Sequence, residues 1–195
     1  SILEEYLRAV QVASNPRLVD PAWQGTPAKF EELDEIVEEI VKENDQSIVI
    51  WTNYILNVRE LVERYKDYGA AAFCGEVKPE VRAQAVADFQ SRKLRVLVAI
   101  PAAGGVGITL TAAQTAVYLD KTWNGEHWMQ SIDRLHRIGQ KGTVHIISLH
   151  ASKVDALISK NLDKKRRLQE QLLARSGVIS SVEMPLREEL LSALS

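Results

Sequence analysis

The chain has 195 residues, 46% of them hydrophobic and 26% charged, which is enough apolar material for one globular domain with a buried core. It contains no apolar run of transmembrane length and no charged-then-apolar amino-terminal segment with a cleavage site, so neither a membrane span nor a secretory signal is predicted and a soluble, intracellular protein is expected. The single cysteine, Cys74, excludes an internal disulfide, four scattered histidines argue against a zinc site, and a net charge of −2 argues against a dedicated nucleic-acid binder unless charge is unevenly placed.

It is unevenly placed. Residues 1–14 carry Ile2, Leu3, Tyr6, Val10 and Ala13 at near-helical spacing, and Asn15-Pro16 ends that helix. A second helix is expected from Thr26-Pro27, with Thr26 as its cap and Pro27 in its first turn. Its apolar stripe is Phe30, Leu33, Ile36, Val37, Ile40 and Val41, and its other face is acidic, with Glu31, Glu32, Asp34, Glu35, Glu38 and Glu39. The Asp34-Glu35 pair lacks a preceding strand, so it reads as part of a solvated face rather than as a magnesium-holding motif.

From Ser47 the pattern alternates. Strands are predicted at 47–52, 70–73, 95–100, 116–119 and 144–149, with helices at 57–68 and 79–90 between the first three. Near-continuous apolar strands separated by helices imply βαβ units, hence an α/β fold with a mostly parallel sheet covered by helices on both faces. A long helix from Lys153 to about Arg175 carries Lys160, Lys164, Lys165, Arg166 and Arg167, so the positive charge is concentrated there. A Leu-rich tail follows Pro185. The expected divisions are a linker helix at 1–25, the α/β lobe at 26–152, and a bracing helix with tail at 153–195.

In an open parallel sheet the loops after the strands hold ligands. After strand 95–100 comes P-A-A-G-G-V-G (101–107), whose glycines either let backbone N–H groups approach an anion or serve only a tight turn. It is neither a Walker A sequence nor a dinucleotide fingerprint. After strand 116–119 comes D-K-T-W-N-G (120–125), and then Q-S-I-D-R-L-H-R-I-G-Q (130–140). On one continuous helix Gln130, Arg134 and Arg137 share a face, with Met129, Ile132, Leu135 and His136 opposite, a row suited to a polyanion. The alternative is a surface helix with an Asp133–Arg137 pair.

These three stretches, A-G-G-V-G-I-T-L-T-A-A at 103–113, D-K-T-W-N at 120–124 and the 130–140 segment, resemble motifs V, Va and VI of the Swi/Snf-type ATPases of helicase superfamily 2. S-I-V-I-W-T-N-Y at 47–54 resembles motif IV, and C-G-E-V-K-P-E-V-R at 74–82 the strand-turn-helix after it. The resemblance covers about residues 1–175 and implies a RecA-like carboxyl-terminal helicase lobe of a DNA-dependent ATPase. It assigns Arg134 and Arg137 as arginine fingers to the ATP γ-phosphate, and Gln130, Gly105 and Gly107 to the nucleotide side. It places Thr52, Asn53, Ala103, Gly104 and Trp123 against double-stranded DNA. Departures are Ile100, Pro101 and Ala102 where Ser/Thr and Lys are usual, Thr109 in place of Asn, and Gly125 in place of Pro.

No Walker A or D-E-x-H sequence occurs, so the groups for ATP phosphates and Mg²⁺ are expected on a separate amino-terminal RecA-like lobe of the same protein, and this chain alone is expected to be inactive. Two other readings are a non-catalytic module that docks through its acidic helix face and Leu-rich tail, and a cofactor-binding domain resting on the glycine loop alone. The expected location is cytoplasm or nucleoid in a prokaryotic or viral source and nucleus in a eukaryotic one.

Overall fold

The computed structural model describes residues 2–103, 108–121, 124–153, 155–156, 158–164 and 167. Five strands, β1 (Ser47–Trp51), β2 (Ala70–Phe73), β3 (Val96–Ala99), β4 (Ala113–Tyr118) and β5 (His145–Ser148), form one sheet in the order β2-β3-β1-β4-β5. Every pairing is parallel, with Ile48 beside Val96, Val117 beside Ile50 and Ile146 beside Ala116. The period of two divides the strand side chains between two cores. Ile48, Ile50, Val96, Val98 and Val117 face one layer, and Val49, Trp51, Leu97, Ala99, Ala116 and Tyr118 the other.

The first layer is built by α2 (Ala28–Val37) and α3 (Ile55–Arg64), which contribute Phe30, Leu33, Val37, Val58 and Leu61. Helix α2 starts after Pro27 with no side-chain cap, so Thr26 does not have the capping role its identity suggested. It continues as a π-helical turn, Glu38–Glu43, whose wider winding keeps Val41 buried under the sheet. Within the acidic face Asp34 is not simply solvated: Arg64 binds it through Nε at 2.6 Å and Tyr65 Oη donates to it at 2.9 Å. The predicted helix 57–68 is α3 followed by a separate 3₁₀ turn, Lys66–Tyr68, closed by Gly69 at φ +71°.

The opposite layer holds α1 (Ile2–Ser14), α4 (Pro79–Gln90), α5 (Gly125–Asp133) and α6, the helical residues described between 153 and 164 and at 167. Tyr6, Phe89, Trp128, Ile132, Ile158 and Leu162 pack there against Trp51 and Tyr118. Helix α6 begins with Ser152 as its cap and Asp155 reaching back one residue further. The Ser152 hydroxyl accepts from Asp155 N at 3.2 Å, and Asp155 Oδ2 accepts from Ala151 N at 2.9 Å. No helix among the described residues is long and apolar enough to cross a membrane.

Candidate functional site

All strands point the same way, so Thr52, Cys74, Ile100, Leu119 and Leu149 follow the last strand residues at one edge of the sheet; residues 101–103 and 120–121 lie there, whereas the third stretch runs back along the sheet to a turn bonded to Ala113, where β4 begins. Helix α5 opens at Asn124, whose Oδ1 accepts from Glu126 N at 3.0 Å and His127 N at 3.3 Å. It ends at Asp133, with Arg134 as its cap residue, so 130–140 is not one helix. The chain leaves α5 as a turn that closes at Gly139, φ +108°, a conformation that L side chains resist.

This break separates the three polar residues that helical spacing placed on one face. Gln130 is exposed and donates to Glu126 Oε1 at 3.1 Å. Arg134 is only 3% exposed, with its guanidinium carbon 5.6 Å from the centre of the Trp51 ring, and Trp51 stacks on Tyr118. Burial lowers the Arg134 pKa, and the neighbouring Arg137 charge adds to that effect. Tyr118 donates to Ser131 Oγ at 2.5 Å, and that hydroxyl donates to Trp128 O at 2.6 Å, which fastens β4 to α5 beside the arginine. Arg137 instead is exposed, with Nη1 3.4 Å from Thr109 Oγ1, and Ile138 beside it is fully exposed. The apolar back of the expected helix is partly as predicted: Ile132 and Leu135 are buried, whereas His136 is exposed.

Gln140, to which sequence reasoning gave no role of its own, staples this turn. Its Nε2 donates to Ala113 O at 2.9 Å and Leu135 O at 3.2 Å. Its Oε1 accepts from Lys141 N at 3.0 Å and Gly142 N at 3.3 Å. A second backbone link, Leu110 N to Arg134 O at 2.9 Å, joins the turn to the segment that follows the glycines.

Thr52 and Asn53 sit where β1 ends. Thr52 is fully buried and donates to Asp120 Oδ2 at 2.6 Å while accepting from Asn57 Nδ2 at 3.1 Å, so its hydroxyl is turned to the interior and not presented to a phosphodiester. Asn53 is partly exposed beside it. Ala103 ends a single 3₁₀ turn after β3, and its carbonyl accepts from Arg82 Nη1 of α4 at 2.9 Å. Gly104, Gly105, Gly107 and Trp123 lie outside the described residues.

Asp120, the strand-end carboxylate, is the centre of a buried network rather than a surface group. Lys29 Nζ lies 3.8 Å from its Oδ1 and also binds Leu119 O at 2.8 Å and Asp155 Oδ1 at 2.9 Å. Desolvation raises the Asp120 pKa, while Lys29, Ser14 and Thr52 oppose the rise. The network continues outward: Asn57 donates to Ser14 Oγ at 2.8 Å, Asn15 donates to Asn57 Oδ1 at 3.0 Å and to Glu60 Oε2 at 3.0 Å, and Arg17 binds Glu60 through Nε and Nη2. Lys29 had a sequence signal that went unused, because it lies four residues before Leu33 on the apolar stripe of α2.

Compared with known proteins, residues 28–139 match the helicase conserved C-terminal domain. The chain belongs to that family. An uncharacterized ATP-dependent helicase of Mycoplasma pneumoniae is 35% identical over 147 residues, which is 74% of this chain and 13% of that protein. The chromatin-remodeling ATPase INO80 of Neurospora crassa is 32% identical over 150 residues, 74% of this chain and 7% of that protein. The Sulfolobus solfataricus SWI2/SNF2 ATPase core in complex with double-stranded DNA superposes with a TM-score of 0.69 at 26% identity, covering 86% of this chain and 36% of that one. The lobe is thus a Swi/Snf-type C-terminal helicase domain with a RecA-like parallel sheet. It spans about a tenth of the length of those two curated relatives.

Proposed function

We propose that this lobe is the carboxyl-terminal half of an ATP-driven motor that moves along double-stranded DNA, and that Arg137 is its arginine finger. The observation that carries the reading is the exposed guanidinium of Arg137 on a turn pinned by Gln140 to Ala113, where β4 begins, and joined to residues 109–110. An exposed, permanently charged fork of donors on a fixed backbone fits a phosphate offered from a facing surface. ATP bound on a facing lobe supplies the phosphoanhydride to be cleaved. This lobe's part is to place positive charge where negative charge develops, and to exclude water as the cleft closes.

In this reading Arg134 supports the turn from beneath through Trp51, and Thr52 supports Asn53 through Asp120. Asn53 and the 103–107 segment grip the phosphodiester backbone without reading bases, a role that the family resemblance extends to Trp123. Gln130 offers its amide to the nucleotide side from the exposed face of α5, apart from the finger. Magnesium ligands belong to the facing lobe.

The test joins this lobe to an amino-terminal RecA-like lobe and measures DNA-stimulated ATP hydrolysis. Arg137→Ala is expected to lower turnover by about 10³–10⁵ with ATP binding retained, the usual worth of a trans-acting arginine. Unchanged turnover refutes the assignment, and substantial hydrolysis by the present chain alone refutes the division of the site between two lobes.

A further inference from the structure

An acidic helix face and a basic one lie on opposite sides of the sheet. On α2 and its π-helical extension, Glu31, Glu32, Glu35, Glu38, Glu39 and Glu43 are exposed over the layer that holds Phe30 and Leu33. On α6, in the other layer, Lys153, Lys160, Lys164 and Arg167 are all exposed. At 3.6 residues per turn these four fall within an arc of about 60°. The buried residues of the same helix, Asp155, Ile158, Ser159, Asn161 and Leu162, centre on the opposite side. The stripe is therefore the outward face of a docked helix, with Asp163 at its flank as the counter-charge on the same element.

Two contacts tie α6 to the strand-end edge. Asp155 binds Lys29, which also binds Leu119 O at the end of β4, and the ring of His150 lies 2.6 Å from Ser159 Oγ. Lys121, just past β4, sits with its Nζ 5.2 Å from the centre of the Trp128 ring on the same face of the sheet as α6. The basic stripe thus extends the candidate edge rather than standing apart from it.

We propose that this α6 stripe is a second binding surface for the phosphodiester backbone of double-stranded DNA, separate from the strand-end contacts. From Lys153 to Lys164 the helix rises about 17 Å, a span of roughly five base pairs. Four long cationic side chains in one row along a helix suit a line of phosphates, so the contact is independent of sequence. The acidic layer on the far side repels the same duplex and fixes which face of the lobe meets it.

The inference rests on the DNA-motor reading for its partner but names different residues, so the two fail separately. The assay is binding of this chain to a fluorescent 20-base-pair duplex across a salt series, with polyglutamate as a competing polyanion. The variant K153Q/K160Q/K164Q/R167Q is expected to lower the slope of log K against log salt by about 3 to 4 and to weaken binding at 0.1 M salt more than tenfold, at roughly 0.9 per lost phosphate contact. The charge-keeping K153R/K160R/K164R variant is expected to bind as the parent does, which separates charge from helix integrity. An unchanged slope in the glutamine variant, with binding weakened by Asn53→Ala, overturns the stripe and leaves the strand-end site standing. Absence of DNA binding by the parent chain overturns both. Competition by polyglutamate as effective as that by unlabelled duplex overturns the assignment to DNA and points to an acidic protein surface.

Discussion

Replacing Lys29 by Met tests how much of the lobe depends on one buried cation. Lys29 is 3% exposed and serves Leu119 O, Asp155 Oδ1 and, at 3.8 Å, Asp120 Oδ1. Methionine matches the length of the stem but leaves two buried carboxylates facing each other without a positive charge. Removing one partner of a buried pair costs about 3–5 kcal/mol, against a total of about 5–15 kcal/mol for a typical domain. The Asp120 pKa is already raised by desolvation, and the substitution removes the charge that holds it down. A carboxyl whose folded pKa lies above its unfolded value destabilises the fold fully at pH above the folded value. That penalty fades as pH falls toward 3.8, the unfolded value. Urea unfolding at pH 7 and pH 5 is therefore expected to show a loss of about 3–5 kcal/mol at pH 7 that shrinks at pH 5. A loss below about 1 kcal/mol at pH 7, or a loss that grows on acidification, refutes the reasoning.

Other expectations follow the same logic. The Glu60 pKa is lowered chiefly by its hydrogen bonds with Arg17, so its contribution is present above pH 4.5 and is lost as pH falls through the folded value. Glu60→Gln is expected to cost about 1 kcal/mol near neutrality and progressively less as pH falls below 4.5, read from urea midpoints against pH; a gap constant with pH sinks the assignment. Gln140→Ala removes four hydrogen bonds from the turn and is expected to cost about 1–3 kcal/mol and to speed hydrogen exchange at Lys141 and Gly142; unchanged exchange counts against the staple. Arg134→Ala is expected to destabilise by about 2 kcal/mol through the lost stack on Trp51, while Arg137→Ala stays within about 0.5 kcal/mol, and equal effects in denaturant refute the distinction.

The sheet was legible because buried parallel strands are continuous apolar runs. Ala70–Phe73 matches its expected bounds, and β1, β3 and β5 fall inside theirs. Strand β4 starts at Ala113, three residues earlier than periodicity suggested, because Gln114 and Thr115 are polar although Thr115 is buried. The arginine segment was misread for a different reason. Helical spacing treats every position as equivalent, whereas Gly139 at positive φ and the Gln140 side chain favour a turn, and neither effect has a periodicity. The Lys29–Asp120–Asp155 cluster joins residues 91 and 126 positions from Lys29, a proximity that only the folded sheet creates.

The consequence for the motor reading lies in how Arg137 is held. Residues 109 and 110, which follow the glycines in sequence, reach the arginine turn twice: Thr109 at the Arg137 guanidinium and Leu110 N at the carbonyl of Arg134. On its other side the turn is tied by Gln140 to Ala113, the first residue of β4, and to Leu135. Arg137 is thus bracketed by contacts with both ends of one short segment, 109–113, which leads into the central part of the sheet. Ala113 is itself fixed in the parallel ladder beside Ser47, so the backbone that carries Arg137 is anchored to the sheet through side-chain and main-chain hydrogen bonds and not through a continuous helix.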